Sequence, residues 1–179
     1  METNAAREPA VLEITVTQDI KSYKAYYRFF YLRNPTFWIL WLAPLLIALP
    51  AFFSYNLRLL VVPGFFLLYT IILFIPGPRR SYQRMPKIFT ESDEVYAFYQ
   101  DDFQLTRSIQ HLTTSQSVRY EFLKTAHETK DAFYLQTIDK NYGTYSLPKQ
   151  YFTPEQMETM RALLEEKLGD QFKRGSKHG

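Results

Sequence analysis

Charged residues are distributed very unevenly along this chain. No residue is charged from 35 to 57 or from 59 to 78, and Arg58 stands alone between the two stretches. A helix that spans a bilayer needs about 20 consecutive apolar residues, and both stretches reach that length. The pattern predicts a two-helix transmembrane hairpin over 35–78, with spans at about 36–54 and 59–76.

Basic residues flank the predicted hairpin on both sides: Lys21, Lys24, Arg28 and Arg33 precede it, and Arg79, Arg80, Arg84 and Lys87 follow it. Because lysine and arginine near span ends favour the cytoplasmic side, both termini are predicted to be cytoplasmic. The segment SYNLR is then the short turn on the far side. These eight residues either set the topology alone or also bind anionic headgroups, at about 1 kcal/mol for each basic residue near the surface.

The segment before the hairpin, 1–34, combines a strand pattern with a helix pattern. Apolar residues alternate with polar ones from Leu12 to Val16, which predicts a short strand. The following run DIKSYKAYYRFFYLR is rich in aromatic and basic residues and predicts an amphipathic helix next to the membrane. That helix lies either on the inner leaflet or against the rest of the protein.

The region after the hairpin predicts a small domain of sheet and helix over 91–173. The runs EVYAFYQ, FQLTRSI, AFYLQTI and TYSLPK read as short strands, SVRYEFLKTAHE reads as one longer strand, and HLTTSQS reads as a polar turn. Short strands at regular spacing with polar turns indicate an antiparallel meander. The strand at Leu12–Val16 is predicted to join this sheet, because both lie on the same side of the hairpin.

A helix is predicted at the end of this domain. Thr153 is the expected N-cap, Pro154 takes the first helical position, and Gln156 completes a capping box. The helix is expected to stop at Gly169, and the chain beyond it, including 174–179, is expected to fray. The predicted fold class is therefore an α+β membrane protein, in which a transmembrane hairpin is inserted in a small cytosolic domain of antiparallel sheet plus C-terminal helix.

Signals for chemistry are weak throughout the sequence. There is no cysteine, which excludes disulfides and thiol catalysis. Of the three histidines, His178 is in the tail, while His111 and His127 are expected to be solvated because no metal-ligand spacing is present. No catalytic motif or phosphate-binding loop occurs, so the chain is predicted to be no enzyme and to need no cofactor. The net charge of +3 gives little reason to expect nucleic-acid binding.

Two segments of the predicted domain carry a family resemblance. The first segment is filled by Lys124, His127, Glu128, Thr129, Asp131, Phe133, Tyr134 and Leu135, and the second by Leu147, Pro148, Lys149 and Phe152. Both segments resemble the YcxB-like family of bacterial membrane proteins. Tyr120 and Ala126 depart from the family pattern, which has a tryptophan-like residue and a valine at these positions. The resemblance implies a small sheet domain on a two-helix anchor in the bacterial cytoplasmic (inner) membrane, and no biochemical activity.

Two functional hypotheses follow. The first is a non-catalytic, membrane-anchored protein whose cytosolic domain binds a protein partner or a second copy of itself. A more specific form of it is immunity against a toxin, which an adjacent toxin gene would indicate. The alternative is binding of anionic lipid headgroups by the cytosolic domain at the inner leaflet. The expected partners are the lipid bilayer and either a protein partner or a second copy in a homo-oligomer.

Overall fold

The structure is a computed structural model that describes residues 9–53, 61–86, 90, 92–109, 112–139 and 143–175. The chain divides into two compact units. The sheet unit comprises residues up to Asp19 and from Pro86 onward, and the helical unit comprises Ile20–Met85.

The first sheet of the sheet unit is antiparallel throughout. Its strands, in spatial order, are β1 (Leu12–Thr17), β2 (Asp93–Phe98), β3 (Asp102–Ile109) and β4 (Leu112–Arg119). Leu12 lies opposite Phe98 and Thr17 opposite Asp93, so β1 joins the sheet as its alternating pattern predicts. The polar segment that we expected to be a turn is instead the body of β4, because serine and threonine tolerate an exposed strand.

The second sheet has the order β7-β6-β5-β8. Its strands are β5 (Leu123–Glu128), β6 (Ala132–Thr137), β7 (Thr144–Pro148) and the short β8 (Phe172–Lys173). A 3-10 turn at Tyr120–Phe122 separates β4 from β5, so the single long strand expected there is wrong. The predicted fraying is wrong for residues 169–173, because β8 pairs in parallel with β5 and Phe172 is buried, while residues 176–179 lie outside the described residues.

Apolar side chains from both sheets and the last helix form one core. The first sheet contributes alternate residues such as Ile14, Tyr96 and Phe103, as expected for strands with one buried face. The helix α5 (Pro154–Leu168) covers this core with Met160, Leu163, Leu164 and Leu168. Its predicted start is confirmed, since the Thr153 hydroxyl accepts from Gln156 N at 3.2 Å and the Gln156 side chain accepts from Thr153 N at 2.9 Å.

Among its described residues, the helical unit contains four α-helices. They are α1 (Ile20–Arg33), α2 (Pro35–Phe53), α3 (Val61–Phe74) and α4 (Gly77–Arg84). Helix α2 packs along α3, with the rings of Phe37 and Phe74 5.4 Å apart, and α1 contacts both α2 and α4. The start of α2 and the end of α3 therefore lie together, next to the two helices that carry the basic residues.

The transmembrane prediction is wrong: among the described residues, no helix is both long and apolar enough to cross a membrane. Helix α3 has 14 residues, about 21 Å at 1.5 Å per residue, whereas a hydrocarbon core is about 30 Å thick. The prediction took the length of each uncharged stretch as the length of a helix. In the structure, α2 and α3 are each shorter than the uncharged stretch that contains them. The predicted membrane fold class and the localisation in the bacterial inner membrane are wrong with it. The expected turn SYNLR lies outside the described residues.

Candidate functional site

Two buried carboxylates of the sheet unit each accept hydrogen bonds from three donor groups. Glu94 on β2 is 2% exposed. Its Oε1 accepts from Arg107 Nε at 2.6 Å, and its Oε2 accepts from Tyr96 Oη at 2.8 Å and from Gln18 Nε2 at 2.9 Å. Burial raises the pKa of Tyr96, and the Glu94 charge raises it further, so the phenol keeps its proton and donates it.

The second carboxylate belongs to Glu128 at the end of β5. Its Oε1 accepts from Lys149 Nζ at 2.6 Å and from Arg161 Nη2 at 2.6 Å and Nε at 3.0 Å. Burial by itself would raise the pKa of Glu128, but hydrogen bonds from Arg161 and Lys149 lower it below its ordinary value. The same hydrogen bond is the main reason that the pKa of Arg161 is raised. A carboxylate held ionised by two cations is a poor proton acceptor, so this cluster joins α5 to the sheet and does not suit acid–base chemistry.

The Glu128 cluster joins the two segments that carry the family resemblance. Glu128 comes from the first segment and Lys149 from the second, and Lys149 N donates to the Asp131 carbonyl at 2.8 Å. Thr129 closes the turn between β5 and β6 through the Ala132 carbonyl at 2.9 Å. These residues therefore form a packed corner of the fold.

The histidine predictions have different outcomes. His127 is 5% exposed on β5, so the expectation that it is solvated is wrong. The other two histidines lie outside the described residues. Within the part of the chain that the structure describes, no group of three or more histidine, aspartate or glutamate side chains is arranged to hold a metal ion.

One edge of the first sheet is open. In the described part of the chain, β4 pairs only with β3, from Ile109 opposite Leu112 to Asp102 opposite Arg119. Most of its side chains are exposed, and its outward face is linked to β3 by hydroxyl contacts such as Thr106 Oγ1 to Ser115 Oγ at 3.3 Å. Every second residue of an edge strand points its N–H and C=O away from the sheet, so β4 offers about four such residues to a partner strand.

The outer edges of β1 in the first sheet and of β7 in the second sheet are less accessible to a partner strand. The outer edge of β1 receives hydrogen bonds from the α5 side of the unit: Tyr151 Oη donates to the Thr17 carbonyl at 2.7 Å and Gln156 Nε2 to the Glu13 carbonyl at 3.3 Å. Strand β7 has five residues and ends in Pro148, which has no N–H to donate. Strand β4 has eight residues and no proline, so it is the edge best suited to pairing.

A cavity of about 660 Å³ lies at the C-terminal end of β4. Its walls come from three separate parts of the sheet unit: Asp102, then Ser117, Val118, Arg119 and Phe122, then Ile138 and Asp139. Phe122 is 47% exposed and Ile138 63% exposed, although both are large apolar residues. The backbone fixes these two relative to each other, because Ile138 N donates to the Phe122 carbonyl at 2.9 Å.

Charged groups surround this cavity without filling it. The Arg119 guanidinium lies 4.9 Å from the centre of the Phe122 ring and 3.0 Å from a Glu121 oxygen, with both charged side chains well exposed. Asp102 accepts a hydrogen bond from the Ser117 hydroxyl. An apolar floor with a charged rim is the usual pattern of a site that binds one apolar side chain of a partner.

The residues predicted as headgroup-binding or topology-setting are brought together in part. Helix α1 carries Lys21, Lys24, Arg28 and Arg33, and α4 carries Arg79, Arg80 and Arg84, all exposed, while Lys87 lies outside the described residues. The two helices are neighbours, with the rings of Tyr23 and Tyr82 5.5 Å apart. The structure thus gathers seven basic residues on two adjacent helices, although the transmembrane topology that motivated their selection is wrong.

Sequence reasoning missed both the open edge and the cavity. The edge was missed because a serine- and threonine-rich segment was interpreted as a turn. The cavity was missed because Asp102, Val118 and Ile138 are far apart in sequence and meet only when the two sheets assemble. The burial of Glu94 had a signal in the sequence, because Glu94 alternates with its neighbours in step with Tyr96 and Phe98 and so lies on the same face of β2.

Comparison with known proteins gave no relative for this chain. No family model, no curated protein and no solved structure matches it. The resemblance to YcxB-like proteins therefore stays a prediction from the sequence.

Proposed function

We propose that this protein is a non-catalytic binding protein whose sheet unit recognises an extended peptide segment of a protein partner. The observation that carries the proposal is the open edge of β4 beside the cavity at Phe122 and Ile138. A peptide added as a fifth strand would gain affinity from main-chain hydrogen bonds along the edge. It would gain specificity by placing an apolar side chain in the cavity.

The dimensions of the two features suit a short peptide. Strand β4 has eight residues, which at about 3.4 Å per residue gives an edge of about 27 Å. The cavity of about 660 Å³ lies within the 300–1,000 Å³ that is typical of small-ligand sites, roughly enough for an aliphatic or aromatic side chain with neighbouring backbone. A segment of about six to eight residues with one apolar anchor would occupy both.

The charges of the sheet unit favour a peptide over an anionic lipid as its ligand. All 18 acidic residues of the chain lie outside Ile20–Met85, together with 13 of the 21 basic residues, so the sheet unit has a net charge of −5. A surface of this sign repels anionic headgroups. The hypothesis of headgroup binding by the sheet unit is therefore disfavoured. Immunity against a toxin remains one biological role that peptide or protein binding would serve.

The proposal is tested by selecting peptides from a displayed random library on the purified full-length protein. We expect enrichment of sequences that alternate and carry one large apolar residue. Ile138→Lys, which places a charge in the cavity, should weaken binding of a selected peptide at least tenfold. Val11→Lys is the matched control, because Val11 is also an exposed apolar residue but lies just before β1, and it should leave binding unchanged.

Amide hydrogen exchange provides a second readout that reports on the edge itself. The outward-facing amides of β4 should exchange quickly in the free protein and become protected when the peptide binds. If selected peptides bind without protecting β4 and are insensitive to Ile138→Lys, the proposal is wrong. Protection of β4 that grows with protein concentration without peptide would identify a second copy of the chain as the occupant.

A further inference from the structure

The helical unit has an unusual combination of charge and exposed apolar surface. Residues 20–85 contain eight lysines and arginines and no aspartate or glutamate. No carboxylate side chain of the unit is therefore available to neutralise its cations. This property is independent of the peptide site, which lies in the other unit.

The basic residues are concentrated at one end of the α2–α3 pair. Helix α1 ends at Arg33, immediately before α2 begins at Pro35, and α4 begins at Gly77, shortly after α3 ends at Phe74. Helices α1 and α4 approach closely, since a Cβ atom placed on Gly77 would lie only 3.1 Å from the Tyr27 hydroxyl. The cations of α1 and α4 are therefore carried by two neighbouring helices.

Helices α2 and α3 expose large apolar side chains along much of their length. Val61 is 69% exposed and Phe65 72% exposed, and Leu46 is 65% exposed. The others are Trp38, Ile39, Leu42, Leu49, Phe66, Leu68, Tyr69, Ile71 and Ile72. An apolar area of this extent marks an interaction site and not an ordinary protein surface.

We propose that the helical unit binds the surface of an anionic lipid membrane, with its cations against the headgroups and its exposed apolar residues against the acyl boundary. A second copy of the chain fits less well, because pairing two such units would bring eight positive charges against eight of the same sign. A nucleic acid would use the cations but not the apolar residues. Contact of this interfacial kind needs no helix that crosses the bilayer.

Tryptophan fluorescence makes the helical unit directly observable in the full-length protein. The chain has two tryptophans, Trp38 and Trp41, and both lie in α2. Trp38 is half exposed, so its emission should shift to shorter wavelength when vesicles cover it. We expect this shift with vesicles of phosphatidylcholine containing 30% phosphatidylglycerol, and a much weaker one with phosphatidylcholine alone.

Two pairs of variants separate the electrostatic part from the apolar part. The double variant Arg79→Gln and Arg80→Gln should lower partitioning into the anionic vesicles about 25-fold, because each basic residue near such a surface contributes about fivefold. Lys124→Gln with Lys130→Gln removes the same charge from exposed positions of the sheet unit and should change it less than twofold. Val61→Ser should weaken binding, while Val11→Ser, an exposed valine of the sheet unit, should not.

Three results would overturn the proposal of membrane binding. Anionic vesicles that leave the fluorescence unchanged would overturn it, as would equal loss of binding in the test and control variants. Binding of polyglutamate or of duplex DNA without any binding of vesicles would also overturn it, and would assign the cations to a different class of partner. Because the peptide assay uses another unit and other variants, either proposal can fail while the other stands.

Discussion

Replacing Glu128 by glutamine should destabilise the sheet unit more than any other exchange of a single charged group described above. The substitution keeps the shape of the side chain and removes the charge that Lys149 and Arg161 share. Both cations are largely buried, with side chains 17% and 23% exposed, so they lose their partner while retaining little water.

The expected loss of stability follows from the contacts of Glu128. Three donors approach one oxygen of Glu128 within 3.0 Å. Removing one partner of a buried ion pair costs about 3–5 kcal/mol. The partial exposure of the two cations places the expected loss near the lower end, at about 3 kcal/mol, which for a unit of this size lowers Tm by about 10 °C.

The assay is thermal and urea unfolding of the full-length protein followed by far-UV circular dichroism. Tryptophan fluorescence is unsuitable here, because both tryptophans report on the helical unit. Glu158→Gln is the matched control. Glu158 also contacts Arg161, but its side chain is 72% exposed, so its loss should cost less than about 0.5 kcal/mol.

The pH dependence gives an independent check with a defined sign. The pKa of Glu128 is lowered in the folded state from its ordinary value of 4.5. Its contribution to stability is therefore complete above about pH 4.5 and disappears as the pH falls through the lowered folded-state pKa. The difference between wild type and Glu128→Gln should narrow over that acid range. Equal stability of Glu128→Gln and Glu158→Gln at pH 7 would refute the reasoning.

Three further predictions concern other parts of the sheet unit. Glu94→Gln should cost about 2 kcal/mol in urea unfolding, because hydrogen bonds from Arg107 and two neutral donors lose a charged acceptor, whereas Glu13→Gln at an exposed position should have no measurable effect. Gly143→Ala should cost about 1 kcal/mol, since its φ of 70° is unfavourable for a residue with a Cβ; Gly143→Asn, which tolerates this conformation, should lose less. Thr153→Ala should cost about 1 kcal/mol by removing the N-cap of α5, and Thr153→Ser should restore it; circular dichroism checks both.

The parts of the fold that sequence predicted well are those determined by local chemistry. The start of α5 was predicted because Thr153, Pro154 and Gln156 satisfy the free backbone groups of a helix end by themselves. Strand β1 was predicted because its alternation of apolar and polar residues is strict. Strand β6 was predicted for its run of apolar and aromatic residues.

The errors concern features determined by tertiary packing. Strand β8 has only two residues, and Phe172 is held there by β5, which no local pattern reveals. Strand β4 is polar from Thr113 to Ser117, because an edge strand with an exposed face does not need apolar residues there. The transmembrane prediction failed for a different reason, since a count of uncharged residues does not determine where helices begin and end.

The candidate sites were predictable to different degrees. The cationic residues of α1 and α4 were found from sequence, because a concentration of one charge sign is visible without a structure. The peptide site was not, since it depends on which strand lies at the edge of the sheet and on residues that meet across two sheets.

The pairing of β1 with β2 has a consequence for how the chain folds during synthesis. Thr17 and Asp93 are opposite each other, and the whole helical unit lies between them in sequence. In topology the two strands form a hairpin whose connecting loop is some 75 residues long, and closing such a loop costs about 2–3 kcal/mol more than closing a four-residue turn. The ribosome must therefore release all of the helical segment before the first strand can find its neighbour. Joining Thr17 to Asp93 by a short glycine-containing turn should consequently accelerate refolding of the remaining protein.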